Sequence, residues 1–172
     1  TNQFGRDRAL PCLRNSRMKI REFIGFGGVV LTADVVGNED HPCVVLLPSL
    51  TQTRKVWESA AKALAQAGRY VISLDLRGHG GSDSPKDCNY SLEAFMGDLV
   101  AVLSQLESRP VLVGSNFGSW IGLAAIGNTS APIATGLVLT NLPSEFQTLN
   151  NEGIAKTVSE RASSEDFDQA LF

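Results

Sequence analysis

Apolar positions along the chain fall into two alternating textures. Cys43–Leu47 and Tyr70–Leu74 are almost continuous apolar runs, the mark of strands buried on both faces. Two earlier runs, 21–26 and 29–34, flank Gly27-Gly28 and predict a β-hairpin. Residues 56–67 place Trp57, Ala60, Ala61 and Leu64 at helical spacing, and Gly68 stops that pattern. Ser91 is a good N-cap for a helix reaching Glu107, with Leu92, Phe95, Met96, Leu99, Leu103 and Leu106 in one stripe. An apolar, largely β-branched run at 111–113 halts at Gly114, and a helical pattern starts at Phe117 and continues to about Gly127. Gly136–Thr140 reads as a further strand. Beyond Pro143 the texture turns polar. Ser164 is expected to cap a helix in which Phe167, Ala170 and Leu171 share a face.

Strands alternating with helices from Cys43 to Thr140 predict an α/β fold: a doubly wound, mostly parallel sheet with helices on both faces. A chain of 172 residues, 43% hydrophobic, has material for one core, hence a single domain or part of one. No apolar run approaches the length of a membrane-spanning helix, so no membrane association is expected.

Charge is unevenly distributed. Residues 1–21 hold six basic side chains (Arg6, Arg8, Arg14, Arg17, Lys19, Arg21) against Asp7, and the remainder is strongly acidic. An acidic body gives no support to a nucleic-acid surface. The basic stretch reads as an organellar targeting peptide, a binding arm, or an extension outside the domain, with Met18-Lys19-Ile20 as a plausible start. Cys12, Cys43 and Cys88 are odd in number and lack metal-ligand spacing. Free thiols in a reducing cytoplasm are the simplest reading, with Cys43 in the core and Cys88 in a polar loop.

The chemistry concentrates at Gly114-Ser-Asn-Phe-Gly118. A strand entering a helix through Gly-x-X-x-Gly is the nucleophile-elbow pattern, in which the apex side chain is held on a strained turn. Together with Asp75-Leu-Arg-Gly-His-Gly-Gly-Ser-Asp83 and the helix start Tyr90-Ser-Leu-Glu93, this series resembles the α/β-hydrolase superfamily over residues 22–160. The nearest flavour is soluble esterases, epoxide hydrolases, enol-lactonases and chloroperoxidase-like enzymes. Charge sets off a basic N-terminal extension (1–21), and the resemblance implies a partial core (22–143) and the start of a cap (144–172).

It further implies a site. The nucleophile position maps to Asn116, whose carboxamide is not a nucleophile of the kind those enzymes use. Two backbone N–H groups, of Phe117 and of Leu50 in Pro48-Ser49-Leu50, map to the oxyanion donors. The acid and general-base His of the family follow strands that this sequence does not reach. His41 precedes the third strand and His79 lies in the glycine loop, so neither takes the base's place.

Asn116 is read as a block on chemistry, or as an unusual catalytic residue that orients a carbonyl. Ser115 is the nearest hydroxyl but sits one position off the apex. Ser49, Ser115 and Trp120 are pocket-lining candidates, while Ser119 is expected on the helix surface and Trp57 and Trp120 in the core. Asp75 and Arg77 are expected to hold the glycine loop by hydrogen bonds.

No phosphate loop, dinucleotide fingerprint or metal spacing is present, so no cofactor is expected. The functional expectation is a hydrolase-type protein with little or no turnover, facing a small apolar ester- or epoxide-like molecule. The competing expectations are a non-catalytic binder on the same fold, or a fragment. The strand at 136–140, without later strands beside it, would form an exposed apolar edge prone to self-association.

Overall fold

A computed structural model of the chain describes residues 17–142. The expected cap start at 144–172, including the Ser164 cap, and residues 1–16 lie outside that range. Six strands form one sheet in the order β1-β2-β4-β3-β5-β6. These are β1 (Lys19–Ile24), β2 (Val30–Val36), β3 (Cys43–Leu47), β4 (Tyr70–Leu74), β5 (Val111–Ser115) and β6 (Gly136–Thr140). The first two strands run antiparallel to their neighbours, whereas β4-β3-β5-β6 are mutually parallel. The expected mostly parallel sheet is therefore present.

Alternate residues of each strand feed two cores, because side chains in a strand point to opposite faces. On one face, Leu31, Ala33, Val35, Val45, Leu47, Ile72, Leu74 and Leu112 pack with α2 (Leu92–Ser104) and α3 (Phe117–Asn128). On the other, Val36, Val44, Leu46 and Val71 pack with Ala61 and Leu64 of α1 (Glu58–Gln66). β3 and β4 are buried at every position, which is why they read as continuous apolar runs.

Several boundaries differ from those the pattern predicts. The hairpin exists, but its strands are joined by a short 3-10 turn at Phe26–Gly28 in which Gly27 and Gly28 take positive φ. Lys19, Ile20 and Arg21, assigned by charge to the N-terminal extension, pair with Val35, Asp34 and Ala33 of β2. An edge strand with one wet face tolerates such residues, so charge alone misplaced that boundary. The helix expected at 56–67 begins as a 3-10 turn at Arg54–Trp57 and becomes α-helical only at Glu58. The Ser91 hydroxyl accepts from the Ala94 N–H as an N-cap should, but α2 stops at Ser104, short of Glu107.

Two buried ionic groups tie the loops to this framework. Arg77, 1% exposed, donates to both Asp98 oxygens at 2.6 and 2.7 Å and to the carbonyls of Asn89 and Phe26. The second group joins Arg54 to two carboxylates, Asp34 through Nε at 3.0 Å and Asp75 through Nη1. Lys55 reaches Asp34 at 2.5 Å, and Asp75 also accepts the backbone N–H groups of Arg54 and Gly81. Asp75 and Arg77 thus both hold loops, as expected, but each through partners the sequence pattern did not reveal.

Burial pushes the Asp34 carboxyl up, but hydrogen bonds from Lys55 and Arg54 outweigh it and leave it below the usual carboxylate range. A carboxyl depressed in the folded state stabilises the fold above its unfolded pKa of about 3.9, and that contribution disappears as pH falls toward the folded value. Acid titration of unfolding, followed by circular dichroism, should therefore show stability falling below that point. Asp34→Asn should flatten this acid limb; an unchanged limb would contradict the assignment.

Candidate functional site

The junction between β5 and α3 is built from close backbone contacts. β5 ends at Ser115, two residues beyond the apolar run that predicted it, and α3 starts at Phe117. Asn116 alone separates them, at φ 50° and ψ −111°. Positive φ is uncommon for a side chain other than glycine, and this ψ lies outside the left-handed helical well. The Asn116 N–H donates to the Thr140 carbonyl at 2.9 Å and its own carbonyl accepts from Trp120 at 3.3 Å. Its side chain does not cap the helix it precedes.

The flanking glycines are required by space. A Cβ on Gly114 would collide with the backbone of Gly118 and Ser119, and a Cβ on Gly118 would collide with the carbonyls of Leu47 and Pro48. The first turn of α3 therefore lies directly against the end of β3 and the loop that follows. In that loop Pro48 is buried, Ser49 half-buried and Leu50 42% exposed, with the Gln52 N–H closing a turn on the Ser49 carbonyl at 3.0 Å.

Ser119 corrects an expectation. It is fully buried, not a helix-surface residue. Its hydroxyl donates to the Gly114 carbonyl at 2.7 Å, and the Thr140 N–H donates to it at 3.2 Å. The same carbonyl accepts the Thr140 hydroxyl at 3.0 Å. Ser119 thus pins the helix start to β5 and β6.

Of the expected site residues, Ser115, Asn116 and Phe117 are half-buried neighbours in the turn, and Trp120 lies buried one helical turn on, at 7% exposure. The Phe117 ring packs edge-on against Phe95, with centroids 5.1 Å apart, so its side chain belongs to the core while its N–H opens the helix. Helix geometry leaves that N–H, like those of the next residues, without an intrahelical acceptor. His79 is occupied structurally, its Nδ1 lying 2.9 Å from the Arg77 carbonyl, and His41 is exposed.

Arg54, Asp34 and Asp98 were missed by sequence reasoning. A signal for the last two existed: each is a charge at a core-facing position, Asp34 in phase with Val36 and Asp98 beside Leu99 in the α2 stripe. Among the described residues, no group of three or more His, Cys, Asp or Glu side chains could hold a metal ion. Within the same range, no helix is long and apolar enough to cross a membrane.

Comparison with known proteins places this geometry. A family model described as the alpha/beta hydrolase fold matches residues 42–169. Epoxide hydrolase A of Mycobacterium tuberculosis is 33% identical over 94 residues, covering 54% of this chain and 29% of that protein. An sn-1-specific diacylglycerol lipase of Mus musculus is 40% identical over 84 residues, covering 48% of this chain and 27% of that protein. Among solved structures, an epoxide hydrolase from Vigna radiata aligns with TM-score 0.67 at 22% identity, over 73% of this chain and 40% of that one. The esterase RhEst1 from Rhodococcus aligns with TM-score 0.64 at 32% identity, over 71% of this chain and 45% of that one. The chain spans less than half the length of each of these proteins. With its sheet order, its strand-to-helix turn at Asn116 and a matching region covering most of its length, the chain belongs to the α/β-hydrolase fold family.

Proposed function

We propose that the turn at Asn116 is the nucleophile elbow of an α/β-hydrolase core in which the attacking residue is replaced by asparagine. The observation that carries this reading is the backbone of Asn116, alone between β5 and α3 at φ 50°. Such a conformation costs of order 1–3 kcal/mol and persists where surrounding packing imposes it. Here Gly114, Gly118 and Ser119 supply that packing.

In this reading the Phe117 and Leu50 N–H groups are the oxyanion donors, placed to stabilise charge developing on a substrate carbonyl oxygen. Ser49, Ser115 and Trp120 line the substrate side. The substrate class is a small apolar ester- or epoxide-like molecule, in keeping with the named activities of the epoxide hydrolase and esterase relatives. A carboxamide forms no covalent intermediate, and loss of a triad nucleophile costs on the order of 10⁶ in rate. The chain is thus a hydrolase scaffold with severely impaired turnover. The chain from β1 onward acts as the partial core, preceded by a shorter extension than charge suggests and followed by the start of a cap, in a cytoplasmic protein.

Two measurements test the catalytic reading. The purified chain should release no nitrophenol from a short-chain nitrophenyl ester above background; turnover abolished by Ser115→Ala would instead assign the nucleophile to the neighbouring hydroxyl. Asn116→Cys should yield a thiol alkylated by iodoacetamide with a pKa below the free value of about 8.5, because it faces the positive end of α3. A thiol at that position titrating at the free value, and reacting no faster than exposed Cys88, would contradict an activated apex.

A further inference from the structure

The geometry at Asn116 has a chemical consequence of its own. The three other substituents of a tetrahedral Cα (N, Cβ and Hα) are about 120° apart in projection along the Cα–C bond, so ψ −111° brings Cβ to within about 10° of eclipsing the nitrogen of Phe117. Helical and extended backbones hold these two atoms well apart. Near-eclipse is what a five-membered ring through Cα, Cβ, Cγ, the Phe117 nitrogen and the Asn116 carbonyl carbon demands.

That nitrogen is also available. The backbone hydrogen bonds tying the turn use the Asn116 N–H, the Asn116 carbonyl and the Trp120 N–H, and Phe117 is the first residue of α3. Losing its hydrogen would cost the helix nothing, for the reason that proline is tolerated at this position. The positive end of the helix favours the deprotonated nitrogen and the anionic adduct it forms. Asn116 is half-buried, so water reaches it.

We propose that Asn116 is a self-processing deamidation site, converted by the fold into aspartate and isoaspartate; its meaning for function, the gain of a nucleophile, rests on the reading of Asn116 as the apex. The Phe117 nitrogen gives its proton to solvent base and attacks Cγ, forming a C–N bond. The adduct takes a proton at Nδ2 and breaks the Cγ–Nδ2 bond, releasing ammonia and leaving a cyclic imide. Water then adds to one imide carbonyl and breaks its bond to nitrogen. Opening at Cγ gives aspartate, and opening at the backbone carbonyl gives isoaspartate. The sum is asparagine plus water to carboxylate plus ammonium, with no change of oxidation state. The aspartate product places a carboxylate, a competent nucleophile, where the carboxamide stood.

The sequence favours a clean test. No asparagine in the chain precedes glycine, the neighbour that most eases ring closure in flexible peptides, and the bulky Phe117 disfavours it in an unfolded chain. The full chain is incubated at mildly alkaline pH, folded and in urea, and each asparagine is followed by peptide mass spectrometry. Conversion at Asn116 should be roughly tenfold or more faster in the folded chain than in urea, because the fold holds ψ near the ring-closing value that an unfolded chain visits rarely. A species lighter by ammonia should precede the acid products, and Asn89, Asn128 and Asn141 should show no such folded-state acceleration. Asn116→Gln, which cannot close a five-membered ring, should show no conversion at that position. An equal or slower rate in the folded chain would overturn the proposal. If the thiol of Asn116→Cys is activated while Asn116 stays intact, ring closure fails and the apex reading survives. If Asn116 converts while that thiol is ordinary, the apex reading fails and ring closure stands.

Discussion

The close approach of three backbone segments, the end of β3, the end of β5 and the first turn of α3, is the constraint on which the site depends. Gly114 and Gly118 make it possible, because a methyl group at either would occupy space already held by backbone. A strand cannot turn into a helix at that distance with ordinary dihedrals. The misfit is concentrated on one residue, Asn116, whose φ of 50° absorbs the change of direction. Ser119 and Thr140 then lock the junction by sharing the Gly114 carbonyl.

The rest of the framework serves to keep that junction rigid. β3 and β5 lie side by side in a parallel ladder, with Leu47 beside Gly114, so any slip of register would misplace the turn. Apolar burial on both faces fixes β3 and β4. The loops that leave the sheet near the site have little apolar surface of their own, and ionic contacts hold them instead. Arg54 binds the loop after β3 to Asp34 of β2 and to Asp75 after β4, while Arg77 binds the glycine loop to Asp98 of α2. Buried charges of this kind are costly to desolvate, and breaking one pair leaves an uncompensated charge inside the protein.

Much of this was legible in the sequence, for identifiable reasons. Strands buried on both faces announce themselves as apolar runs, and so β3 and β4 were located to the residue. The Gly-x-Asn-x-Gly pattern located the turn because its steric demand can be met only by glycine. What could not be read is whatever depends on partners distant in the chain. Ser119 looked like a polar helix-surface residue because its acceptor, the Gly114 carbonyl, is a backbone atom that no side-chain pattern marks. Nothing in the sequence marked Arg54, because its two carboxylates are about twenty residues away in opposite directions. The basic stretch was divided at the wrong place because charge does not distinguish an extension from an edge strand.

The central claim is that packing forces Asn116 into a backbone conformation its own side chain disfavours. Comparing the equilibrium unfolding free energies of the chain and of Asn116→Gly tests it most directly. Glycine occupies positive φ without steric penalty, so the variant should be more stable by about 1 kcal/mol, even after glycine's greater freedom in the unfolded chain is counted. A loss of stability of similar size, the normal result of placing glycine in a regular helix or strand, would contradict the account.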